Sequence, residues 1–418
     1  MSKTLMIKAM VLGAVACAFS ATGFAADVQN GHGQGIADPT TEVNGAKHEA
    51  VRSNWMDRTD IVVGIGMKDS KETHSQHHYV GESSMRHDDL HAVTSKNSKS
   101  TEINKLYIET LQPITHYDEN AKSVVFVQGR IGRSGEKISS YKLDSYLEPA
   151  RPAGTFITHD KQTDTKESLG MNANIGIGYR RLSKGEHAYV GVNAFYDHVF
   201  KGGYKRVSGG VEYVAGLNEF HANLYRNLGT DDRKYIGLRG RSNVLGDPAG
   251  LYPYGLDSNQ GLFNYGVVSY ENHWMLSEKV AASGFDVGYS RTFKNARWAR
   301  VYADYYNWRG REAVKVGYYK LNKRDAIKGF KVGAEFHITP HLTLDAGYQT
   351  ASHHLSGPYA TLKYTIGTSK FAWRGGKHSE SVITTARSKM LDKVHRSDMV
   401  VQETVENTYE QQFVDVGL

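Results

Sequence analysis

From about residue 168 to 367 the chain repeats an alternation of period two that only an extended strand can use. Leu169, Met171, Ala173, Ile175, Ile177 and Tyr179 lie on one face, and Gly170, Asn172, Asn174, Gly176, Gly178 and Arg180 on the other. Phe330, Val332, Ala334, Phe336 and Ile338 repeat the pattern against Lys331, Gly333, Glu335 and His337. Leu342, Leu344, Ala346 and Tyr348 repeat it again against Thr343, Asp345, Gly347 and Gln349. A sandwich strand rarely places Lys, Glu, Asp and Asn on its polar face in segment after segment. A barrel with lipid outside and water inside does. The expected fold class is all-β, a transmembrane antiparallel β-barrel.

The N-terminus fits the same compartment. Lys3 and Lys8 form a basic start, and Ala9 to Ser20 an apolar stretch too short to cross a bilayer. Gly23-Phe24-Ala25 supplies small residues for signal peptidase, so cleavage is expected after Ala25. Ala14-Val15-Ala16-Cys17 loosely resembles a lipoprotein site but lacks the usual leucine three residues before the cysteine. Cys17 is the chain's single cysteine, and its loss with residues 1–25 leaves no thiol to mispair in an oxidising compartment. Mean hydropathy is −0.51, and beyond the first segment no apolar run approaches the roughly 20 residues a membrane helix needs. The 26 tyrosines suit rings placed at both lipid–water boundaries. A net charge of +7 is spread along the chain without a basic helix or zinc spacing, which argues against nucleic acid.

Four parts follow: a signal peptide 1–25, a polar periplasmic segment 26–103, a barrel 104–373 and a C-terminal tail 374–418. Strand candidates fall at 105–114, 123–132, 168–183, 187–199, 205–215 and 218–228. After an insert at 229–277 they resume at 282–293, 297–308, 312–322, 328–339, 342–351 and 358–367. That makes about twelve, each near the length of a tilted spanning strand. Ser183-Lys-Gly185, Lys201-Gly-Gly203 and Thr339-Pro-His341 read as tight turns. Asp60 to Met67 reads as a further strand or a short periplasmic element. Within the insert, Tyr235 to Arg241 and Tyr265 to His273 are weak strands that either extend the barrel or form a hairpin beyond the membrane. Phe371 and Trp373 read as an interfacial aromatic pair. From Ser379 the period becomes helical, with Ile383, Met390, Leu391 and Val394 among charges. So polar a tail has too little apolar surface to fold alone, and the lumen is the place that would hold it.

Gly191-Val-Asn193-Ala-Phe195-Tyr-Asp197 is followed by Gly202-Gly203, Arg206, Gly210-Val-Glu212-Tyr213 and Ala222-Asn223-Leu-Tyr225. Further on stand Ser283-Gly-Phe285-Asp286 and the series Arg387, Met390, Leu391, Val394, Arg396, Val400, Val401 and Glu403. In order and spacing this resembles the inverse autotransporter β-barrel of the intimin and invasin family, over about residues 104 to 403. The resemblance implies a twelve-stranded outer-membrane barrel holding a C-terminal linker, helical or extended, in or near its pore. Arg387, Met390, Leu391, Val394 and Arg396 would belong to that linker. It also implies export of an adhesive passenger toward a possible host-cell receptor, and insertion into outer-membrane lipid by periplasmic chaperones and the assembly machinery. Only about forty residues follow Gly376 and none reads as a β-domain, so adhesion itself is not expected to follow from the resemblance.

By alternation Asn193, Asp197, Glu212, Asp286, Arg300, Asp304, Lys315, Lys331, Glu335, Asp345 and Lys363 point inward. They would form either a ring gripping the linker or a solvated pore wall. No catalytic constellation is expected: there is no Gly-x-Ser-x-Gly elbow, and Asp197 and His198 face opposite sides of one strand. His74, His77, His78, His87, His91, His353 and His354 lie in polar segments without a cysteine partner, so neither metal nor cofactor is expected. An open stand-alone channel, and an adhesin acting through the insert, are the alternatives. One tension remains. With both barrel ends periplasmic and the first strand at 105, the long connections 133–167 and 229–277 fall inside, whereas barrels keep long loops outside. A first strand at Asp60–Met67 reverses that parity.

Overall fold

The structure is a computed structural model and describes residues 55–416 apart from 81–86, 118–119, 145–146, 151–154, 230–231, 246–265, 311–313, 317–318, 322–323, 353–355, 368–371 and 375–385. The expected signal peptide, His353, His354, Phe371 and Ile383 lie outside the described residues. After a single 3-10 turn, Trp55–Arg58, come β1 (Thr59–Val80), β2 (His87–Pro113) and β3 (Ser123–Arg133). An excursion of β4 (Glu136–Asp144), β5 (Leu147–Ala150) and β6 (Thr155–Ser168) precedes β7 (Met171–Leu182), β8 (Ala188–Val199), β9 (Lys205–Ala215) and β10 (Asn218–Asn227). A second excursion, β11 (Asp232–Leu245) and β12 (Gly266–Ala281), precedes β13 (Gly284–Phe293) and β14 (Ala296–Trp308). The small hairpin of β15 (Val314–Val316) and β16 (Tyr319–Leu321) leads to β17 (Ile327–His337), β18 (Leu342–Gln349) and β19 (Gly357–Thr365), and β20 (Val400–Val416) is the last described strand.

Twelve of these strands close a ring. Its order is β1, β2, β3, β7, β8, β9, β10, β13, β14, β17, β18, β19, every neighbour antiparallel. It shuts where β19 pairs with β1, from Asp60↔Thr365 to Ile65↔Ala360. Closure leaves no open edge in the ring, the condition for strands to cross lipid. The pleat sorts the side chains as the alternation predicts. Ile175 is 60% exposed on the outside and Arg180 1% exposed within the same strand. Ile61, Ile108, Val211, Leu224, Val287, Val332 and Leu362 continue the apolar outer band around the ring. At one rim Trp298 packs against Phe336 and Trp373, with ring centroids 6.1 Å apart in both pairs, an aromatic girdle of the kind expected at an interface.

The two ends of the ring differ. At one, consecutive strands join through a few residues, at 183–187, 216–217, 294–295 and 338–341. At the other, both excursions, the β15–β16 hairpin and the far half of the β1–β2 hairpin leave the ring. Outside the ring the same sheet continues in the order β2, β1, β6, β4, β20, β12, β11, while β15 and β16 pair with each other. In the Lys201-Gly-Gly203 turn, Gly202 and Gly203 take φ of +97° and +67°, a conformation that L side chains resist.

Four expectations change. The ring begins at Thr59 and not at 104, because Asp60–Met67 is the first half of β1 and pairs on both edges. Of residues 312–322, those described form the small hairpin of β15 and β16, which pair with each other and not with a ring strand, and Lys315 falls in that hairpin. The two changes cancel in the count and reverse the parity, so every long connection lies at one end. Leu169 is not on the lipid face. It precedes the strand, donates its amide to the Gly135 carbonyl at 3.0 Å and is buried with Val199, Ala281, Met399 and Val401. The tail is not an amphipathic helix among the described residues, which hold one 3-10 turn, Ala386–Lys389, a bend over 390–392 and then irregular chain to Met399.

Candidate functional site

The chain from Ala386 to Met399 occupies the ring's lumen, and beyond its short 3-10 turn the backbone is held by hydrogen bonds from the wall. A backbone inside a barrel must satisfy its amides and carbonyls, and here wall side chains do so. Tyr117 donates to the Arg387 carbonyl at 3.1 Å. Arg180 donates to the carbonyls of Met390 and Asp392 at 2.8 and 2.5 Å. The Val394 amide donates to Gln128 Oε1 at 2.9 Å, and Asn223 donates to the His395 carbonyl at 3.0 Å. The Ser397 amide reaches Tyr225 Oη at 2.8 Å and Asp286 Oδ2 at 3.1 Å, while Arg206 donates to the Ser397 and Asp398 carbonyls at 3.0 and 3.3 Å.

Apolar contacts fix the first part of the path. Ala386, Met390, Leu391 and Val394 are buried against Leu111, Val124, Phe126, Leu182, Tyr189, Phe195 and Val214. This wall can be apolar and close because Phe126 and Phe195 lie over glycines: a Cβ on Gly178 would stand 2.2 Å from the Phe126 ring, and one on Gly176 2.2 Å from that of Phe195.

Charge pairs fix the register. Arg387 bonds Glu186 at 2.7 and 3.1 Å near the short-turn end. Lys389 reaches Glu219 at 2.7 Å, and Lys393 reaches Asp60. Arg396 grips Asp197 with both terminal nitrogens, at 2.8 and 2.5 Å, and stacks 4.4 Å from the Phe195 ring centroid. Arg206, fully buried, holds the same carboxylate at 2.9 Å. Asp398 faces Lys105 at 2.9 Å and Arg130. Paired, hydrogen-bonded charges are the form in which ions tolerate removal from water.

The residues singled out from sequence divide between two walls. Asp197, Asp286 and Arg300 bond the linker, Arg300 through His395 Nε2 at 2.6 Å. Glu212 acts one step back, holding Arg180 at 2.5 and 3.0 Å. Asn193 is buried in the lumen beside Asn223, both over Gly210. The others bond across the wall. Glu335 joins Arg300 at 2.5 Å and Lys363 at 3.1 Å, Asp345 accepts from Tyr302 at 2.5 Å, Asp304 lies 3.6 Å from His221, and Lys331 sits over the Tyr302 and Tyr359 rings. On that side two cavities of about 150 and 260 Å³ flank the linker and share the charged or titratable side chains Asp60, Arg300, Glu335, Lys363, Lys393 and His395 in their walls. All five named linker residues, Arg387, Met390, Leu391, Val394 and Arg396, lie inside the ring.

Apart from Asp286, sequence reasoning overlooked the residues that serve the linker backbone. Arg180, Gln128 and Asn223 carry the signal of inward parity, and Arg206 and Asn223 also stand in the motif quoted above. Among the described residues no group of three His, Cys, Asp or Glu side chains has metal-binding spacing. His74 stacks on His159 at 5.5 Å, and His77, His78, His87 and His91 lie on the outer β1–β2 hairpin.

The family described as the inverse autotransporter β-domain matches residues 140–398, well over half of the chain. No curated protein sequence matches it. Among solved structures, a membrane protein from work on in-meso crystallization has a TM-score of 0.43 at 13% identity, over 82% of this chain and 100% of that one. The β domain of the Bordetella autotransporter BrkA has a TM-score of 0.22 at 10% identity, over 72% and 99%. The translocator domain of the autotransporter NalP from Neisseria meningitidis has a TM-score of 0.21 at 10% identity, over 72% and 88%. Family membership rests on the sequence match, and the closed, lipid-faced ring agrees with it. The chain belongs to the inverse autotransporter β-domain family and is an outer-membrane β-barrel.

Proposed function

We propose that this barrel is a non-enzymatic translocator of the intimin/invasin type, in which the linker 386–399 both closes the pore and carries the chain beyond it to the cell surface. The observation that supports this reading is the direction of the thread. Arg387 lies with Glu186 at the short-turn end. Met399 accepts from the Glu136 amide at 3.0 Å where β4 leaves the ring at the other end. Barrels direct long connections outward, so β20 lies outside the cell. The signal peptide is cleaved after Ala25, and periplasmic chaperones and the assembly machinery insert the barrel. An adhesive role toward a host-cell receptor would be exercised by what stands outside, including the loop strands β11 and β12.

The test is ion conductance in planar bilayers. A chain ended after Gly376 should conduct far more than the full chain, since the removed segment fills the lumen. Equal conductance would reject the linker as a closure and favour a stand-alone channel.

A further inference from the structure

Beyond the exit of the pore, β20 is embedded in a sheet made by the barrel's own loops. It runs parallel to β4, from Val400↔Glu136 to Thr408↔Asp144, and antiparallel to β12, from Ala281↔Val401 to Gly266↔Val416. No direct pairing of β4 with β12 exists among the described residues. Take β20 away and the outer part of the sheet separates into two, β2–β1–β6–β4 and β12–β11, each with a newly open edge. Open edges are templates for another strand.

We infer that the gap between β4 and β12 is a strand acceptor on the outer face, built to capture the chain's own segment 400–416 as it leaves the pore and to fold it as the central strand of the surface sheet.

Three features of the gap fit an extended segment entering from the lumen. First, direction agrees: β4 runs away from the ring and β12 toward it, so an outgoing strand is parallel to the one and antiparallel to the other. Second, the mouth fixes where pairing starts. The Glu136 amide bonds the Met399 carbonyl at 3.0 Å and the Ala282 amide bonds the Val400 carbonyl at 2.7 Å. Met399 and Val401 are buried there against Leu169, Val199 and Ala281. Gly135, at φ +88°, leaves room for that carbonyl, because a Cβ would stand 2.3 Å from the Met399 oxygen. Third, the edges carry matched charge. Lys137 of β4 and Lys279 of β12 close on Glu403 at 2.8 and 2.6 Å, and Ser139 adds a hydrogen bond at 3.3 Å. One carboxylate between two lysines from opposite edges selects register as well as affinity. A strand captured this way cannot slip back through the lumen without breaking two ladders.

The inference rests on the proposed threading, and its test is arranged to fail separately. In the full chain carrying Cys17→Ser, cysteine pairs Ser277→Cys with Val405→Cys, and Ser140→Cys with Thr404→Cys, join registered neighbours at strand-pair separations that a disulfide spans. Both should form disulfides in the purified, folded barrel, whichever end faces the outside of a cell. The control Ser277→Cys with Glu406→Cys places its thiols on opposite faces and should not. In cells, a chain ended after Met399 should bind a labelled peptide of residues 400–416, and the full chain should not. Absence of both disulfides in a folded barrel would overturn the acceptor. So would a shortened barrel that assembles but ignores the peptide. If the shortened chain fails to assemble, the disulfides in the full chain still decide.

Discussion

Replacing Arg396 by alanine removes the strongest single grip on the linker without touching the ring's ladders. Its side chain is 5% exposed and makes two bonds to Asp197, at 2.8 and 2.5 Å, and one to Ser208 at 3.2 Å. It also stacks on Phe195 at 4.4 Å. Hydrogen bonds to charged groups contribute roughly 1.5–3 kcal/mol each, and a desolvated cation–π contact about 2. Opposing this, the guanidinium is costly to bury, and Asp197 is not orphaned because Arg206 remains at 2.9 Å. A net loss of about 3 kcal/mol for the seated linker follows, on the order of a 100-fold rise in the population with the linker displaced. The assay is the open fraction of single barrels in planar bilayers, read beside heat-modifiable mobility to show that the ring is intact. Long open events in Arg396→Ala, largely suppressed in Arg396→Lys, are the expected outcome. An open fraction equal to that of the parent chain, with the ring folded, would refute the reasoning.

Other outcomes follow from the same structure. Ile175→Arg places a cation on the lipid face at a position 60% exposed and should cost about 2–4 kcal/mol if it sits near the bilayer midplane, read as a loss of folded barrel in membranes, with Ile175→Leu unaffected. Gly178→Val forces a side chain into the Phe126 ring and should destabilise the protein by about 1–3 kcal/mol in urea, with partial rescue by Phe126→Ala. Burial pushes the Glu403 carboxyl up, but hydrogen bonds and attraction from Lys137 and Lys279 outweigh it and hold it below its ordinary value. A lowered carboxyl supports the clasp above the unfolded pKa of about 4.3 and ceases to as the pH falls through the folded value. A labelled peptide of residues 400–416 should therefore bind the chain ended after Met399 more weakly at pH 3 than at pH 7, and Glu403→Gln in the peptide should flatten that dependence.

The ring was legible wherever the two faces of a strand differ chemically. In β7, Met171, Ile175 and Ile177 against Asn172 and Arg180 leave one assignment of inside and outside. In β3, Val124, Val125, Phe126 and Val127 are all apolar, so the pleat is hidden, and the apolar wall that seats Met390 and Leu391 could not be read. Residues 312–322 carry strand-like composition, but those of them that are described pair only with one another. Asp60–Met67 was separated from the other strands by the long outer hairpin, and only its pairing with β19 makes it the closing strand. The linker's apolar spacing imitates a helix because Met390, Leu391 and Val394 all meet one wall. Its backbone partners, Arg180, Gln128, Arg206 and Asn223, come from four different strands, and no spacing along the chain announces that they converge. Glu403 stands in the linker motif, yet its partners Lys137 and Lys279 lie in the outer strands β4 and β12, whose meeting is a property of the folded barrel alone.

The central claim is that the chain passes once through the lumen and emerges at the end bearing the long connections. An epitope tag after Leu418, probed by external protease on intact cells, tests it most directly. The account predicts loss of the tag from whole cells while the barrel stays folded and a periplasmic marker stays intact. A tag that survives until the outer membrane is permeabilised would place the end of the chain on the periplasmic side and contradict it.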